Sequence, residues 1–159
     1  MFKVATIGAF DVMNNIPYCK LATGSGKVYN GNGVTIDRAN ATATLTTTET
    51  AKQDVWVLYN VVRGVYCGDR EDAHWTDGDM PLLVSLASLV GREIEISNDA
   101  HTATAGPIAS LTAGKYLVYG DKGLIKENAD TNGYAYAYKI IEVSGDMIRA
   151  EVVEGTPAA

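Results

Sequence analysis

The stretch Tyr134-Ala135-Tyr136-Ala137-Tyr138-Lys139-Ile140-Ile141-Glu142-Val143, then Ser144-Gly145-Asp146, then Met147-Ile148-Arg149-Ala150-Glu151-Val152-Val153 decides the fold class. Tyrosine and alanine alternate with a period of two, which matches the pleat of a strand and no face of a helix. Ser-Gly-Asp between two such runs is turn chemistry, so the stretch predicts a long hairpin. Its rings line one face and its alanines the other, leaving a small-residue face that another element can approach closely.

Upstream, Lys115-Tyr116-Leu117-Val118-Tyr119, Gly120-Asp121-Lys122-Gly123 and Leu124-Ile125-Lys126-Glu127 predict a second hairpin whose turn residues tolerate positive φ. Arg92-Glu93-Ile94-Glu95-Ile96-Ser97 alternates charge with isoleucine, as a half-exposed strand does. Val55 to Val62 is almost continuously apolar and reads as a strand buried on both faces; its β-branched and aromatic content favours strand over a short buried helix. Pro81 to Val90 carries the helix signal, with Leu82, Leu83, Leu86 and Leu89 or Val90 at helical spacing, Pro81 suited to the first turn and Gly91 to the end.

Closer to the amino terminus, glycine-rich turns at Gly24-Ser25-Gly26 and Asn30-Gly31-Asn32-Gly33 bracket the short strand Val28-Tyr29. Met1 to Phe10 reads as a first strand or an extended arm. Ala41 to Thr46 reads as an edge or extended stretch, within a Thr/Ala segment from Ala39 to Ala51 that suits a linker or arm. The expected fold is mainly β, a small β-barrel or sandwich with one short helix and an extended N-terminal arm. Residues 1–53 form that arm and short strands, either apart from or within the same domain; residues 54–155 form the compact barrel, and residues 156–159 a frayed tail.

A chain of 159 residues fits one domain, large enough to fold without disulfides or metal. Its net charge of −6 argues against nucleic acid and anionic membrane surfaces, both of which need a clustered positive face. No apolar run is long enough to span a membrane as a helix. The start of the chain lacks the basic head and apolar core of a secretion signal, so synthesis in a cytoplasm is expected, with Cys19 and Cys67 as two free, mostly buried thiols.

Chemistry-bearing patterns are sparse. Gly24-Ser25-Gly26-Lys27 looks like a phosphate-binding loop, but Leu21 stands where the motif needs its first glycine and Val28 where it needs Ser or Thr. Gly68 to Asp79 gathers five carboxylates with His74; it reads as a solvated acidic loop, with cation binding the alternative, although it lacks the spacing of the twelve-residue calcium loop. Trp75 inside it is either an anchor at a protein contact or a cap folded back on the core. A Cys67–His74 thiolate pair has no third orienting group, and the zinc-type residues Cys19, Cys67, His74 and His101 are scattered. With no nucleophile-elbow pattern either, the residues describe an acidic β domain that is not an enzyme, with no catalytic, cofactor or metal residues to assign.

Leu111-Thr112-Ala113-Gly114-Lys115-Tyr116-Leu117-Val118-Tyr119-Gly120-Asp121-Lys122-Gly123-Leu124, with Gly133-Tyr134-Ala135-Tyr136 and Ile140-Ile141-Glu142-Val143, resembles the β-barrel of bacteriophage capsid decoration, or cement, proteins. Leu86 to Ser97 is similar to the segment that precedes that barrel. The resemblance covers about the last 75 residues. It implies a virion protein made in the host cytoplasm, without an active site or cofactor. Such a protein binds the major capsid protein at many equivalent positions on the outer face of the head, as a homo-oligomer, often a trimer. A second class is a tail- or fibre-associated module directed at carbohydrate through Trp75, Tyr134 and Tyr136. A third is a small hydrolase built on Cys67 or His74.

Overall fold

The computed structural model describes residues 2–4, 15–16, 19–59, 74–99, 108 and 111–157. Within them the chain is mainly β. Its strands are, in order, β1 (Phe2–Val4), β2 (Asn15–Ile16), β3 (Lys20–Leu21), β4 (Val28–Tyr29), β5 (Gly33–Asp37), β6 (Thr42–Leu45) and β7 (Trp56–Leu58). There follow β8 (His74–Trp75), β9 (Leu83–Ser85), β10 (Glu93–Ser97), β11 (Tyr116–Tyr119), β12 (Ile125–Asn128), β13 (Tyr136–Ser144) and β14 (Met147–Glu154). One sheet has the order β1-β10-β14-β13-β11-β12, a second β2-β9-β7-β5-β6-β3, and β4 pairs with β8 in a small third. Neither large sheet closes on itself among the described residues, so of the two expected architectures, barrel or sandwich, no closed barrel forms, and the two sheets share one core.

The two hairpins form as the sequence reading expects. β13 and β14 pair from Tyr136↔Glu154 to Ser144↔Met147, with a bulge between Ile140 and Glu142, and β11 pairs with β12 across the Gly120–Leu124 turn. In that turn Lys122 (φ 58°) and Gly123 (φ 69°) both take the left-handed conformation. β10 buries Ile94 and Ile96 and leaves Glu93, Glu95 and Ser97 half-exposed. On the same inward face lie Ile148, Ala150, Val152, Tyr138, Ile140 and Leu117, all buried. Fully burying an Ile or Leu side chain contributes about 1.5–3 kcal/mol.

The second sheet is the middle layer. Val57 and Val84 point into the core shared with the first sheet, whereas Trp56, Leu58 and Leu83 enter a second core with Val28, Val34, Cys19 and Leu21. The small β4–β8 sheet covers that second face, and Trp75 packs half-buried against it. The apolar run from Val55 is therefore a strand buried on both faces over its described part; Asn60 to Tyr66 lie outside the described residues.

Three expectations change: the helix, the Thr/Ala linker and the frayed tail. The helix proposed for Pro81 to Val90 is a strand, β9, followed by a four-residue 3₁₀ turn over Leu86–Leu89. Pairing with β7 continues through Ser85, because Leu83 and Val84 each fill a different core and a helix would have sent both to one side. Leu86 and Leu89 then eclipse at the three-residue spacing of the tighter helix and are both buried. The Thr/Ala segment is no linker: β6 lies between β5 and β3, and Ala43 is fully buried. Since β5 pairs with β7, residues on both sides of position 54 share a sheet. The N-terminal arm begins as β1, paired antiparallel with β10; residues 5–14 lie outside the described residues. The tail is tied down as far as Thr156, whose N–H donates to Thr131 O at 3.2 Å and whose carbonyl accepts Gly133 N at 2.7 Å.

Candidate functional site

The two large sheets are locked where the β11–β12 turn meets the β4–β5 and β6 turns. Tyr119 lies over Gly33, where an added Cβ would come within 2.6 Å of the ring. Its hydroxyl donates to Gly31 O at 2.7 Å and stands 2.8 Å from the Tyr138 hydroxyl. A hydroxyl has one proton, and Gly31 O can only accept, so Tyr138 donates to Tyr119 and Tyr119 to the carbonyl. Both rings are buried, edge-on at 5.7 Å, and desolvation pushes both phenols well above their ordinary pKa. Beside them the Thr46 hydroxyl, fully buried, donates to Gly120 O at 2.8 Å, and Gly123 N donates to Thr46 O at 3.2 Å. Asp121 accepts from Thr48 N (2.7 Å) and Thr48 Oγ1 (3.1 Å), and these bonds lower its pKa.

Against this junction opens a groove of about 580 Å³. One wall is the Ala22–Lys27 turn, the other is Thr44–Thr47, with Lys122 and Leu124 contributed by the β11–β12 turn and Tyr29 and Asn32 at the base. The first wall is braced by the acidic segment: Asp77 accepts Gly24 N at 2.7 Å and Gly26 N at 3.2 Å. Asp79 accepts Thr76 N at 2.7 Å and Thr76 Oγ1 at 3.1 Å, while its carbonyl takes Leu21 N. Asn32 is buried, and its Oδ1 accepts Tyr29 N at 2.8 Å.

The residues singled out from the sequence are thus dispersed. The Gly24–Lys27 run is a turn, as its mismatch with the phosphate-loop motif requires, and its two glycine N–H groups bind this chain's own Asp77. Asp77 and Asp79 serve as turn anchors, and among the described residues no group of three His, Cys, Asp or Glu side chains converges. Asp69, Glu71, Asp72, Cys67 and His101 lie outside the described residues. His74, expected in a loop, is an exposed strand residue whose ring lies 5.9 Å from that of Tyr29. Trp75 caps the second core, the less eventful of its two readings. Tyr134 is buried and Tyr136 half-buried, so with Trp75 they offer no open aromatic platform. Cys19 is a buried thiol whose pKa is pushed up by burial, with Arg38 opposing, which keeps it protonated and inert. The groove went unread because its lining comes from stretches around residues 22–32, 44–47 and 122–124, each of which signals only a turn or a short strand.

No family model, curated protein or solved structure matches this chain.

Proposed function

We propose that the protein is a structural component of a phage virion, a decoration protein that binds the major capsid protein on the outer face of the head. The supporting observation is the placement of the resembling segments. The strands that carry the segments Leu86–Ser97, Leu111–Leu124, Gly133–Tyr136 and Ile140–Val143, namely β10, β11 and β13, all fall in one antiparallel sheet rather than being divided between the layers. The outer strand of an antiparallel sheet is where a neighbouring chain adds a strand. With the Thr/Ala segment held inside the second sheet, β12 and β1, the outermost strands of the first sheet among the described residues, take the docking role expected of an arm. Many copies on a lattice then gain avidity from modest individual contacts, and a trimeric arrangement multiplies it.

Quantitative mass spectrometry of gradient-purified particles tests this. The expected result is co-sedimentation at a fixed, high-copy ratio to the major capsid protein. A handful of copies per particle moves the protein to the tail or fibre, and its absence from particles refutes a virion role.

A further inference from the structure

We propose that the groove between the Ala22–Lys27 and Thr44–Thr47 walls binds an acidic saccharide carrying carboxylates. Its volume of about 580 Å³ lies within the range of about 300–1,000 Å³ typical of small-ligand sites. Lys27 and Lys122 enter it from different turns, neither makes a salt bridge among the described residues, and the lining contains no carboxylate. The charged side chains of the lining are thus both cationic, which favours an anionic ligand at short range. Two carboxylates stand behind the walls and outside the lining, Asp77 on Gly24 and Gly26 and Asp121 on Thr48, the latter also feeling the charge of Lys122.

Lys122 is a second observation. It is a non-glycine residue in the left-handed conformation, in a turn tied down on both sides by Asp121 and Gly123. Glycine or asparagine is the easier choice there, so an ammonium is carried into the groove at a conformational cost. The remaining surface mixes threonine with Leu45, Leu124 and the Tyr29 ring, which matches the hydroxyls and apolar ring faces of a sugar. Carboxylate is favoured over phosphate because the glycine N–H groups that would cradle a phosphate already bind Asp77. The inference does not rest on the virion assignment, since it concerns the isolated chain.

The experiment is calorimetric and NMR titration of the full chain with trigalacturonic acid, maltotriose and inorganic phosphate at low salt. Saturable trigalacturonate binding is expected, with amide shifts at Thr44–Thr47 and the Ala22–Lys27 turn and much weaker maltotriose binding. Lys27→Gln and Lys122→Asn should each weaken it by about two- to fivefold, an effect that fades as salt rises. Asparagine tolerates the left-handed turn, so Lys122→Asn keeps the fold, and Lys27→Gln alters only an exposed side chain. Equal binding of maltotriose, preference for phosphate, shifts elsewhere in the molecule, or no binding at millimolar ligand would each overturn the assignment.

Discussion

Replacing Tyr119 by phenylalanine removes a single oxygen and leaves two buried partners unmatched. The ring still covers Gly33, so packing between the sheets is preserved. What goes is the proton donated to Gly31 O and the acceptor used by the Tyr138 hydroxyl. Each buried polar group left without its partner costs about 1–3 kcal/mol, and two are left, which puts Tyr119→Phe at about 2–6 kcal/mol. Tyr138→Phe is milder, at about 1 kcal/mol, because Tyr119 goes on donating to the carbonyl and loses only an incoming proton. Against a total stability of about 5–15 kcal/mol the larger loss is readily measured. In urea unfolding the midpoint should fall with the slope unchanged, and the melting temperature should drop by about 4–24 °C for Tyr119→Phe. If Tyr138→Phe costs as much as Tyr119→Phe, or Tyr119→Phe costs under about 1 kcal/mol, the direction of this hydroxyl chain is wrong.

The same pair sets an alkaline limit. Both phenols have raised folded pKa values, so stability is complete below about pH 10; above it the unfolded chain loses protons that the folded one keeps, and stability falls by about 1.4 kcal/mol per pH unit per tyrosine. Unfolding titrations from pH 8 to 12 should show this slope added to those of Cys19 and Tyr136, whose pKa values burial also raises, and Tyr138→Phe should remove one tyrosine's share. Gly123→Ala places a Cβ 2.6 Å from Gly33 O at a positive φ, where backbone and not a flexible tip is struck; a loss above about 2 kcal/mol is expected by denaturant titration. The buried Asn98 clamps Ile108 from both sides, its Nδ2 donating to the carbonyl at 3.0 Å and its Oδ1 accepting the N–H at 2.8 Å. Asn98→Ala should therefore cost about 1–3 kcal/mol and speed exchange of the Ile108 amide, whereas unchanged exchange would show that the clamp does not hold that segment.

Much of the first sheet was legible because its signals are local. Isoleucine every second residue in β10, the Tyr/Ala alternation of β13 and glycine or asparagine-like turn positions act within a few residues of one another. The second sheet was harder, for a physical reason visible at Leu82-Leu83-Val84. A strand buried on both faces shows no alternation of polarity, and three leucines at helical spacing look like one apolar stripe until the two cores they enter are known. Ala41 to Thr46 misled in the opposite sense: a strand of small and polar residues carries little hydrophobic signal, yet it is held by the neighbours on both sides.

The amino-acid sequence by itself determined the β class, both C-terminal hairpins, their turns, and the unsuitability of the Gly24–Lys27 run as a phosphate loop. Only the tertiary structure decided that the sheets stack as layers, that Asp77 and Asp79 brace turns, and that Lys27 and Lys122 share a groove. Hairpins are selected by the pleat and by turn dihedrals, which act over a few residues. The groove and the tyrosine lock depend on which faces the sheets bury against each other, bringing together groups as distant as Tyr119 and Gly31, 88 residues apart. No local pattern encodes such a contact, because its energy comes from the joint burial of both partners.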